Sequence, residues 1–388
     1  MERADSFRSE VRLCGLICLF AFLESIAYGF TFPYFSIHLE KGGANPFVIG
    51  LNTSAGLLAV ILFAPFFPRL MVRYGYRNFS LYAFVVAAAA SFALLISENI
   101  YWWCACRFVI GAALAALWVS TESWLNHAVT DEYRGRANSI FQALYSFGFF
   151  IGPGLTYLTG FSGALPILTL GGLAVVAAVS IVILAPPNDE AVDTKSYGTF
   201  TLKLMTGAKA ILAVAILIGV CETAIYSLLP IYGLQRGLST DTAVAILVSY
   251  TLGEVFVALG IGWMIDRVDR EGLLLICTTL ASVLVFLIGK VDGDPLVLGG
   301  VAFFAGGLVV SIYNIALVQM GERYRGAILP VVATAFSVSY SVGSAIGSSI
   351  GGALMNITGP LGLPYGVAAI LAIAALAQAC SLFMHSRP

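Results

Sequence analysis

Charge is the scarcest property of this sequence. Only 11% of its 388 residues are Asp, Glu, Lys or Arg, whereas soluble globular domains carry roughly 25%. Hydrophobic residues make up 59%, and the mean hydropathy is +0.93. The 20 basic residues nearly balance the 21 acidic ones. This composition excludes a soluble cytosolic enzyme, a nucleic-acid binder with a basic face and a disordered chain, and it predicts lipid as the main solvent.

Disulfide-forming and metal-ligating residues are also scarce. The seven cysteines all fall within apolar runs, so no disulfide framework is predicted. The three histidines lie at the ends of such runs, and the sequence contains no G-K-[ST] or H-E-x-x-H motif. We therefore predict no metal site, no cofactor and no enzymatic activity. A membrane-embedded enzyme or a receptor is the disfavoured alternative, because the chain has no sizeable soluble domain.

Twelve apolar runs are long enough to cross a bilayer as helices. A spanning helix needs about 20 apolar residues, and these runs are continuous, unlike the short alternating strands of a β-barrel. The first run exceeds a signal-peptide core and continues through Pro33 and Tyr34, so we expect a retained span. The predicted spans are 13–35, 47–69, 78–97, 100–124, 138–160, 164–186, 210–233, 241–264, 272–290, 295–320, 328–353 and 362–384.

The distribution of Lys and Arg predicts the orientation. With the N-terminus in the cytoplasm, sixteen of the 20 basic residues lie on the inner side and three on the outer side, while Arg107 lies within a span. This asymmetry predicts that both termini are cytoplasmic. The longest polar stretch, 187–209, predicts a cytoplasmic linker between a six-helix domain, 1–186, and a second one, 210–388.

Three short patterns occur in the same order in both halves. Glu24–Tyr28 in the first span matches Glu222–Tyr226 in the seventh. The triplet 133–135 after the fourth span matches 324–326 after the tenth. In the fifth and eleventh spans, the matched residues are Tyr145, Gly148 and Gly152 with Tyr340, Gly343 and Gly347. A parallel repeat of two six-helix bundles is an architecture of secondary transporters, which hold substrate between the halves.

Several motifs carry a resemblance to a known family. G-x-x-x-D-R-x-G-R-K occurs after the eighth span at 262–270, with Asp269 at the second Gly position. A degraded copy at 68–77 has Val72 in place of the Asp. Over essentially its whole length the chain resembles the major facilitator superfamily. The resemblance implies an all-α membrane protein with 12 transmembrane helices in two pseudo-symmetric six-helix bundles. The implied gating and motif residues are Arg73, Gly75, Gly148, Gly152, Pro153, Asp266, Arg267, Gly343 and Gly347.

Four carboxyl side chains lie within the predicted spans: Glu24, Glu122, Glu222 and Glu254. A charge at the bilayer centre costs at least about 2.5 kcal/mol, so carboxyl groups there are expected to have a function. A low dielectric favours the neutral form of an acid, which suits a proton carrier. We predict proton coupling by these residues. The alternative is that each of them only orients helices by hydrogen bonding to Ser or Tyr.

The spans also contain polar and aromatic residues suited to an organic ligand. On the fourth span, Arg107, Trp118 and Glu122 share one helical face. Such a set suits a flat, partly polar molecule better than a sugar or a bare ion, and ordinary aromatic packing is the alternative. The predicted substrate-binding residues are Tyr28, Asn52, Arg107, Trp118, Gln142, Tyr145, Tyr226, Tyr250, Tyr313, Asn314 and Tyr340.

These observations predict a monomeric, proton-coupled secondary transporter that works by alternating access in the bacterial inner membrane. Its expected partners are a small molecule, protons and lipid, with no nucleic acid. Trp118-x-x-x-Glu122 and the following Arg134-Gly135-Arg136 resemble a bacterial branch of the superfamily that includes riboflavin and copper importers. Riboflavin-like uptake is our first choice. Proton-antiport export of drugs or metabolites is the alternative, because Gly148–Pro153 resembles the antiporter motif of the fifth span.

Copper import is disfavoured on chemical grounds. Cu(I) prefers thiolate and thioether ligands. The Met-x-x-x-Met and His-x-x-x-Met pairs on which the copper importers resemble one another are absent from the seventh and eighth spans, where Met264 stands alone.

Overall fold

A computed structural model describes residues 2–130, 133–186, 209–265, 267–291, 294–324 and 328–385, which form twelve α-helices and no strand. The predicted all-α membrane fold class is confirmed, and the number of helices agrees with the twelve predicted spans. The helices are α1 (Glu2–Lys41), α2 (Pro46–Phe63), α3 (Phe67–Ala93), α4 (Ile100–Ala128), α5 (Arg134–Thr159), α6 (Leu165–Leu184), α7 (Lys209–Gln235), α8 (Thr240–Ile265), α9 (Arg270–Ile288), α10 (Pro295–Arg323), α11 (Leu329–Thr358) and α12 (Gly362–His385).

Most of these helices are apolar enough to cross a bilayer. Within the described ranges, nine continuous helical stretches qualify by length and composition. One of them, Pro46–Ala93, is 48 residues long and contains both α2 and α3. The two helices outside this set are α5 and α11, whose sequences are rich in Gly and Ser. The chain is therefore a multi-pass membrane protein.

The passage from α2 to α3 differs from the predicted spans 47–69 and 78–97. A 3-10 turn, Ala64–Phe66, interrupts the helix where Pro65 and Pro68 remove backbone donors. Helical backbone then resumes and breaks at Gly75, which has φ 74° and ψ 162°. Only glycine adopts such a positive φ at little cost. The turn between the second and third spans is therefore the single residue Gly75, and α3 ends at Ala93 rather than at residue 97.

The chain divides into two compact units. The first comprises Met1–Tyr34 and Ala55–Tyr197, and the second comprises Phe35–Ser54 and Gly198–Pro388. The last turns of α1 and the first turns of α2 thus pack with helices from the second half of the sequence. The predicted limits 1–186, 187–209 and 210–388 stay a prediction, because linker residues 187–208 lie outside the described ranges.

In the first unit, α3 packs against α4 and α6. The hydroxyl groups of Ser80 and Ser120 join α3 to α4 at 2.8 Å. Arg77, just after the Gly75 turn, donates to the carbonyl oxygens of Val182 and Ala185 at the end of α6, each at 3.2 Å. A cation at a helix C-terminus is electrostatically favourable. This arginine therefore ties the part of α3 that follows Gly75 to the end of α6.

In the second unit, α7 packs on α11 and α8 packs on α10. Both contacts are backbone to backbone: a β-carbon added at Gly343 would overlap Ile216 of α7, and one added at Gly253 would overlap Phe303 of α10. Small residues permit such close helix contacts within a membrane. The predicted gating residue Gly343 thus lies at an observed close helix contact.

The structure describes the second part of the motif at 262–270, which lies between α8 and α9. The Asp269 carboxylate caps α9 by accepting from the amide of Gly272 at 2.6 Å, which explains an Asp where the motif usually has Gly. Arg270 forms an ion pair with Glu322 at the end of α10. The predicted motif residue Asp266 and the repeat residues Arg325 and Gly326 lie outside the described ranges.

Candidate functional site

Glu24 lies in the middle of α1 and is almost completely buried, with 1% exposure. The Tyr145 hydroxyl on α5 donates to its Oε1 at 3.2 Å. Its other oxygen, Oε2, is buried and has no hydrogen-bond partner among the described residues. Glycines bring the two helices together, because a β-carbon at Gly148 would overlap Ser25 and one at Gly152 would lie 2.6 Å from the carbonyl oxygen of Ile26.

Aromatic rings surround this contact. The Trp118 ring of α4 lies edge to face against Tyr145, with centroids 4.3 Å apart at 71°, and meets Phe141 at 5.8 Å. Glu122, one turn further along α4, is half-buried and interacts electrostatically with Tyr145. The structure therefore brings Trp118 and Glu122 to the Glu24–Tyr145 pair.

Arg107 occupies a different part of the first unit. Its side chain is 3% exposed, and the guanidinium lies 5.5 Å from the centroid of the Phe32 ring. The β-carbon position of Gly56 on α2 is 3.3 Å from Arg107 Nε. Gly111 also packs on Gly56, so this end of the predicted α4 face contacts α2. Tyr28 interacts electrostatically with Arg107.

The second unit contains the matching acid. Glu222 on α7 is 4% exposed, and the Tyr340 hydroxyl on α11 donates to its Oε2 at 2.8 Å. Its Oε1 is buried without a hydrogen-bond partner among the described residues. Glu254 on α8 is half-buried and accepts a 2.6 Å hydrogen bond from the Tyr226 hydroxyl. The Glu222 and Glu254 carboxyl groups interact electrostatically.

The sequence repeat reappears as a repeat of contacts. Tyr145 matches Tyr340 and Glu24 matches Glu222, and in each unit the phenol donates to the matched carboxyl group. Tyr226 follows Glu222 by one turn, yet its hydroxyl contacts the acid on the neighbouring helix instead. The matched sequence positions thus make matched contacts in the two units, whereas Tyr226 contacts an acid that its spacing along α7 does not indicate.

Two further tyrosines complete the second unit's cluster. Tyr250 packs edge to face on Tyr226, with centroids 6.0 Å apart at 84°, and Tyr313 packs on Tyr340 at 5.4 Å and 70°. Asn314, next to Tyr313 on α10, is half-buried.

Other predicted residues lie apart from these contacts. Gln142 is exposed on α5, and Asn52 is fully buried on the α2 segment that belongs to the second unit. Arg73 stacks on Tyr74 at 5.4 Å. At the end of α8, Arg267 stacks on Trp263, with its guanidinium 3.8 Å from the ring. Pro153 is buried within α5.

Several hydroxyl contacts between helices in the second unit were not predicted from the sequence. Thr53 and Ser227 are 2.8 Å apart, and Ser36 lies 3.3 Å from Ser227. Ser54 contacts Ser349 at 2.8 Å. The sequence does show hydroxyl side chains within apolar helices. It does not show which of them meet, because the partners lie at least 174 residues apart.

One of these serines also lies within a sequence pattern of hydrolases. Gly347 to Gly351 reads G-x-S-x-G, with Ser349 at the position of a nucleophile. That motif acts on a sharp strand-to-helix turn. Here the pentapeptide lies inside the continuous helix α11, where Ser349 contacts Ser54. The backbone conformation of a hydrolase nucleophile is therefore not formed at this position.

Comparisons with known proteins agree with this fold. A family model described as the Major Facilitator Superfamily matches residues 17–338. The uncharacterized MFS-type transporter YfkF of Bacillus subtilis is 26% identical over 320 residues, 81% of each chain. The uncharacterized MFS-type transporter YcaD of Escherichia coli is 28% identical over 257 residues, 64% of this chain and 63% of YcaD.

Solved structures match the same fold at lower sequence identity. The crystal structure of the nucleoside transporter NupG matches with a TM-score of 0.78 at 13% identity, covering 95% of this chain and 98% of that one. A mutant of NupG matches with a TM-score of 0.80. Likeness at this identity shows the fold alone.

Proposed function

The chain belongs to the Major Facilitator Superfamily, and from that premise we propose that it is a secondary transporter that couples the movement of a small organic solute to that of protons. The observation that carries the proposal is the repeated pair of a buried glutamate and a phenol: Glu24 with Tyr145, and Glu222 with Tyr340. Alternating access between two pseudo-symmetric bundles would expose these acids to each side of the membrane in turn.

The hydrogen bonding of these acids suits proton exchange. In each pair the phenol occupies one carboxyl oxygen, and the second oxygen has no partner among the described residues. A phenol can donate to a carboxylate or to the carbonyl oxygen of a neutral acid. A proton can therefore bind or leave at the second oxygen without breaking the existing contact. Because a buried charge is costly, this change alters the energy of the site strongly.

The solute class follows from the rings around the first pair. Trp118 and Tyr145 are both half-buried and offer aromatic faces next to Glu24 and Glu122. Flat ligands gain affinity by stacking on such rings. The relatives YfkF and YcaD are described only as uncharacterized MFS-type transporters, which gives no support to riboflavin in particular. We therefore propose a flat, partly polar organic solute and name no single compound. Proton-antiport export stays the alternative direction.

The remaining finer predictions belong to the same proposal. We propose a monomer in the bacterial inner membrane with both termini in the cytoplasm. We also propose that the close contacts at Gly148, Gly152, Gly343 and Gly347 are where helices move during transport. The exposed arginines Arg73 and Arg267 would act as gating residues at the inner ends of the helices.

Proton coupling can be measured directly in proteoliposomes that contain the purified protein and the pH dye pyranine. Riboflavin, quinoline, 1-methylquinolinium and copper(I) are added in turn. We expect at least one of the organic solutes, and not copper(I), to cause proton movement that is absent from empty liposomes. Organic solute uptake that proceeds at one rate with and without a pH gradient would contradict the proposal.

The stacking role of Trp118 predicts a loss of affinity. In Trp118→Ala, the solute that moves protons should bind about tenfold more weakly, which is about 1.4 kcal/mol. Trp263→Ala is the matched control, since that ring is 63% exposed at the end of α8. Titration of the two purified variants compares their dissociation constants. Equal affinities in the two variants would remove Trp118 from the binding site.

A further inference from the structure

In the part of the second unit that the structure describes, two acids lie within α7 and α8, and no Lys or Arg lies in the interior of α7–α12. Glu222 and Glu254 interact with each other across α7 and α8. Among the described residues of α7–α12, every Lys and Arg lies at or beyond a helix end: Lys209, Arg236, Arg267, Arg270, Lys290 and Arg323. The first unit, by contrast, has Arg107 inside α4, buried to 3% exposure. A buried carboxylate without a nearby positive charge is strongly unfavourable, so this pair requires protons or a cation.

Two buried polar atoms in this cluster lack partners among the described residues. One is Oε1 of Glu222, and the other is the hydroxyl oxygen of Tyr250, whose side chain is fully buried. Tyr250 lies one turn before Glu254 on α8 and interacts electrostatically with both carboxyl groups. Buried polar groups are normally hydrogen-bonded. Their position beside the acids points to a ligand that occupies the cluster.

The rings around the acids indicate what kind of ligand fits. Tyr226 and Tyr250 form one edge-to-face pair, and Tyr313 and Tyr340 form a second. Ring faces attract organic cations, with carboxylates supplying the full counter-charge. A hard metal ion instead requires six or more oxygen ligands, and no group of three or more His, Cys, Asp or Glu suited to a metal lies within the described ranges.

We propose that Glu222 and Glu254 bind the positively charged nitrogen of an organic cation, with the surrounding tyrosines contacting its apolar part. The inference names the substrate class of the proposed function and rests on it. When the cation leaves, a carboxylate takes up a proton in its place, so one positive charge replaces another. Cation and proton therefore compete for the same oxygens.

The competition predicts how binding depends on pH. The titratable groups around the pair are Cys221 and Tyr226 on α7, Tyr250 on α8, Tyr313 on α10 and Tyr340 on α11. Thiols and phenols stay neutral between pH 5.5 and 7.5 in ordinary surroundings. The carboxyl groups are the strongest acids of the cluster, so they are the groups that take up protons as the pH falls, and lowering the pH should weaken cation binding.

The test measures dissociation constants for two probes with the full-length protein in detergent. 1-Methylquinolinium carries a permanent charge, and quinoline has the same rings without a charge at pH 7.5. We expect the cation to bind at least 30-fold more tightly than quinoline at pH 7.5, and at least tenfold more weakly at pH 5.5 than at pH 7.5. Glu222→Gln and Glu254→Gln should each weaken cation binding at least tenfold, whereas Glu271→Gln, in the first turn of α9, should not.

The possible outcomes distinguish cation binding by the acids from the proposed proton coupling. Equal affinity for the two probes, or unchanged cation binding in both Gln variants, overturns the inference. If both variants alter solute-driven proton movement but not cation affinity, the pair carries protons only, and the proposed function stands without the inference. If the cation binds through Glu222 but no solute moves protons in the unaltered protein, proton coupling fails instead. A melting transition for each variant shows that it is folded, and Glu254→Gln replaces Glu222→Gln if the latter lacks one.

Discussion

Glu24→Gln is expected to lower pH-gradient-driven transport at least 100-fold while leaving solute exchange at equal pH within about threefold. Glutamine keeps an acceptor for the Tyr145 hydroxyl, which donates to Glu24 Oε1 at 3.2 Å, but it cannot take up or release a proton. Solute binding and the movement of the loaded protein should persist, whereas the energy of the proton gradient should no longer reach the solute. A 100-fold loss corresponds to about 2.7 kcal/mol.

The measurement compares two modes of transport in the same proteoliposomes, with a solute that moves protons as the probe. One mode has an imposed pH gradient, and the other is counterflow of labelled against unlabelled solute without a gradient. Glu98→Gln is the matched control, because Glu98 is exposed in the loop before α4. Equal losses in both modes would assign Glu24 to solute binding or to folding. An undiminished response to the gradient would remove it from proton coupling.

A Tyr145 variant shows, in the same assay, what the hydrogen bond to Glu24 contributes apart from the carboxyl group itself. Tyr145→Phe keeps the carboxyl group and the ring contact with Trp118 but removes the hydroxyl donor. Hydrogen bonds to charged groups contribute about 1.5–3 kcal/mol. The result should therefore be partial coupling that requires a different pH range, and not the complete loss expected of Glu24→Gln.

The acids of the candidate site could be singled out in the sequence because charge is rare in this chain. In a chain with 11% charged residues, each glutamate inside an apolar run stands out. The repeat added further information: matched sequence positions in two related bundles occupy matched places, so Tyr145 and Tyr340 both reach a glutamate. The twelve helices followed from hydropathy alone.

The sequence could not predict which side chains on different helices contact each other. Tyr226 donates to Glu254, 28 residues away, because α7 and α8 approach at that depth, and the sequence does not contain that distance. The hydroxyl contact between Thr53 and Ser227 spans 174 residues. Likewise, a hydropathy window averages over many residues, so it could not detect that the turn inside α3 depends on the φ angle of Gly75 alone.

The second large effect concerns folding: Gly152→Ala should lower the free energy of unfolding by about 1–3 kcal/mol and the melting temperature by about 1–4 °C. A β-carbon at this position would lie 2.6 Å from the Ile26 carbonyl oxygen and from the Gly29 carbonyl carbon, which are backbone atoms of α1. A side chain could rotate away, but backbone atoms move only if the helices separate. Overpacking of this kind costs about 1–3 kcal/mol. Because the unfolding entropy is about 2.1 cal/mol/K per residue, each kcal/mol shifts the melting temperature of a chain of this length by about 1 °C.

Gly154→Ala supplies a control of the opposite sign in the same helix. A β-carbon there meets no atom within 4 Å, and alanine favours a helix over glycine by up to about 1 kcal/mol. The melting temperature should therefore stay or rise. Since the contact of α5 with α1 also places Tyr145 on Glu24, Gly152→Ala should weaken proton-driven transport together with stability, and Gly154→Ala should change neither unfavourably. Equal shifts in the two variants would mean that α1 and α5 do not approach as closely as the glycines at 148 and 152 allow.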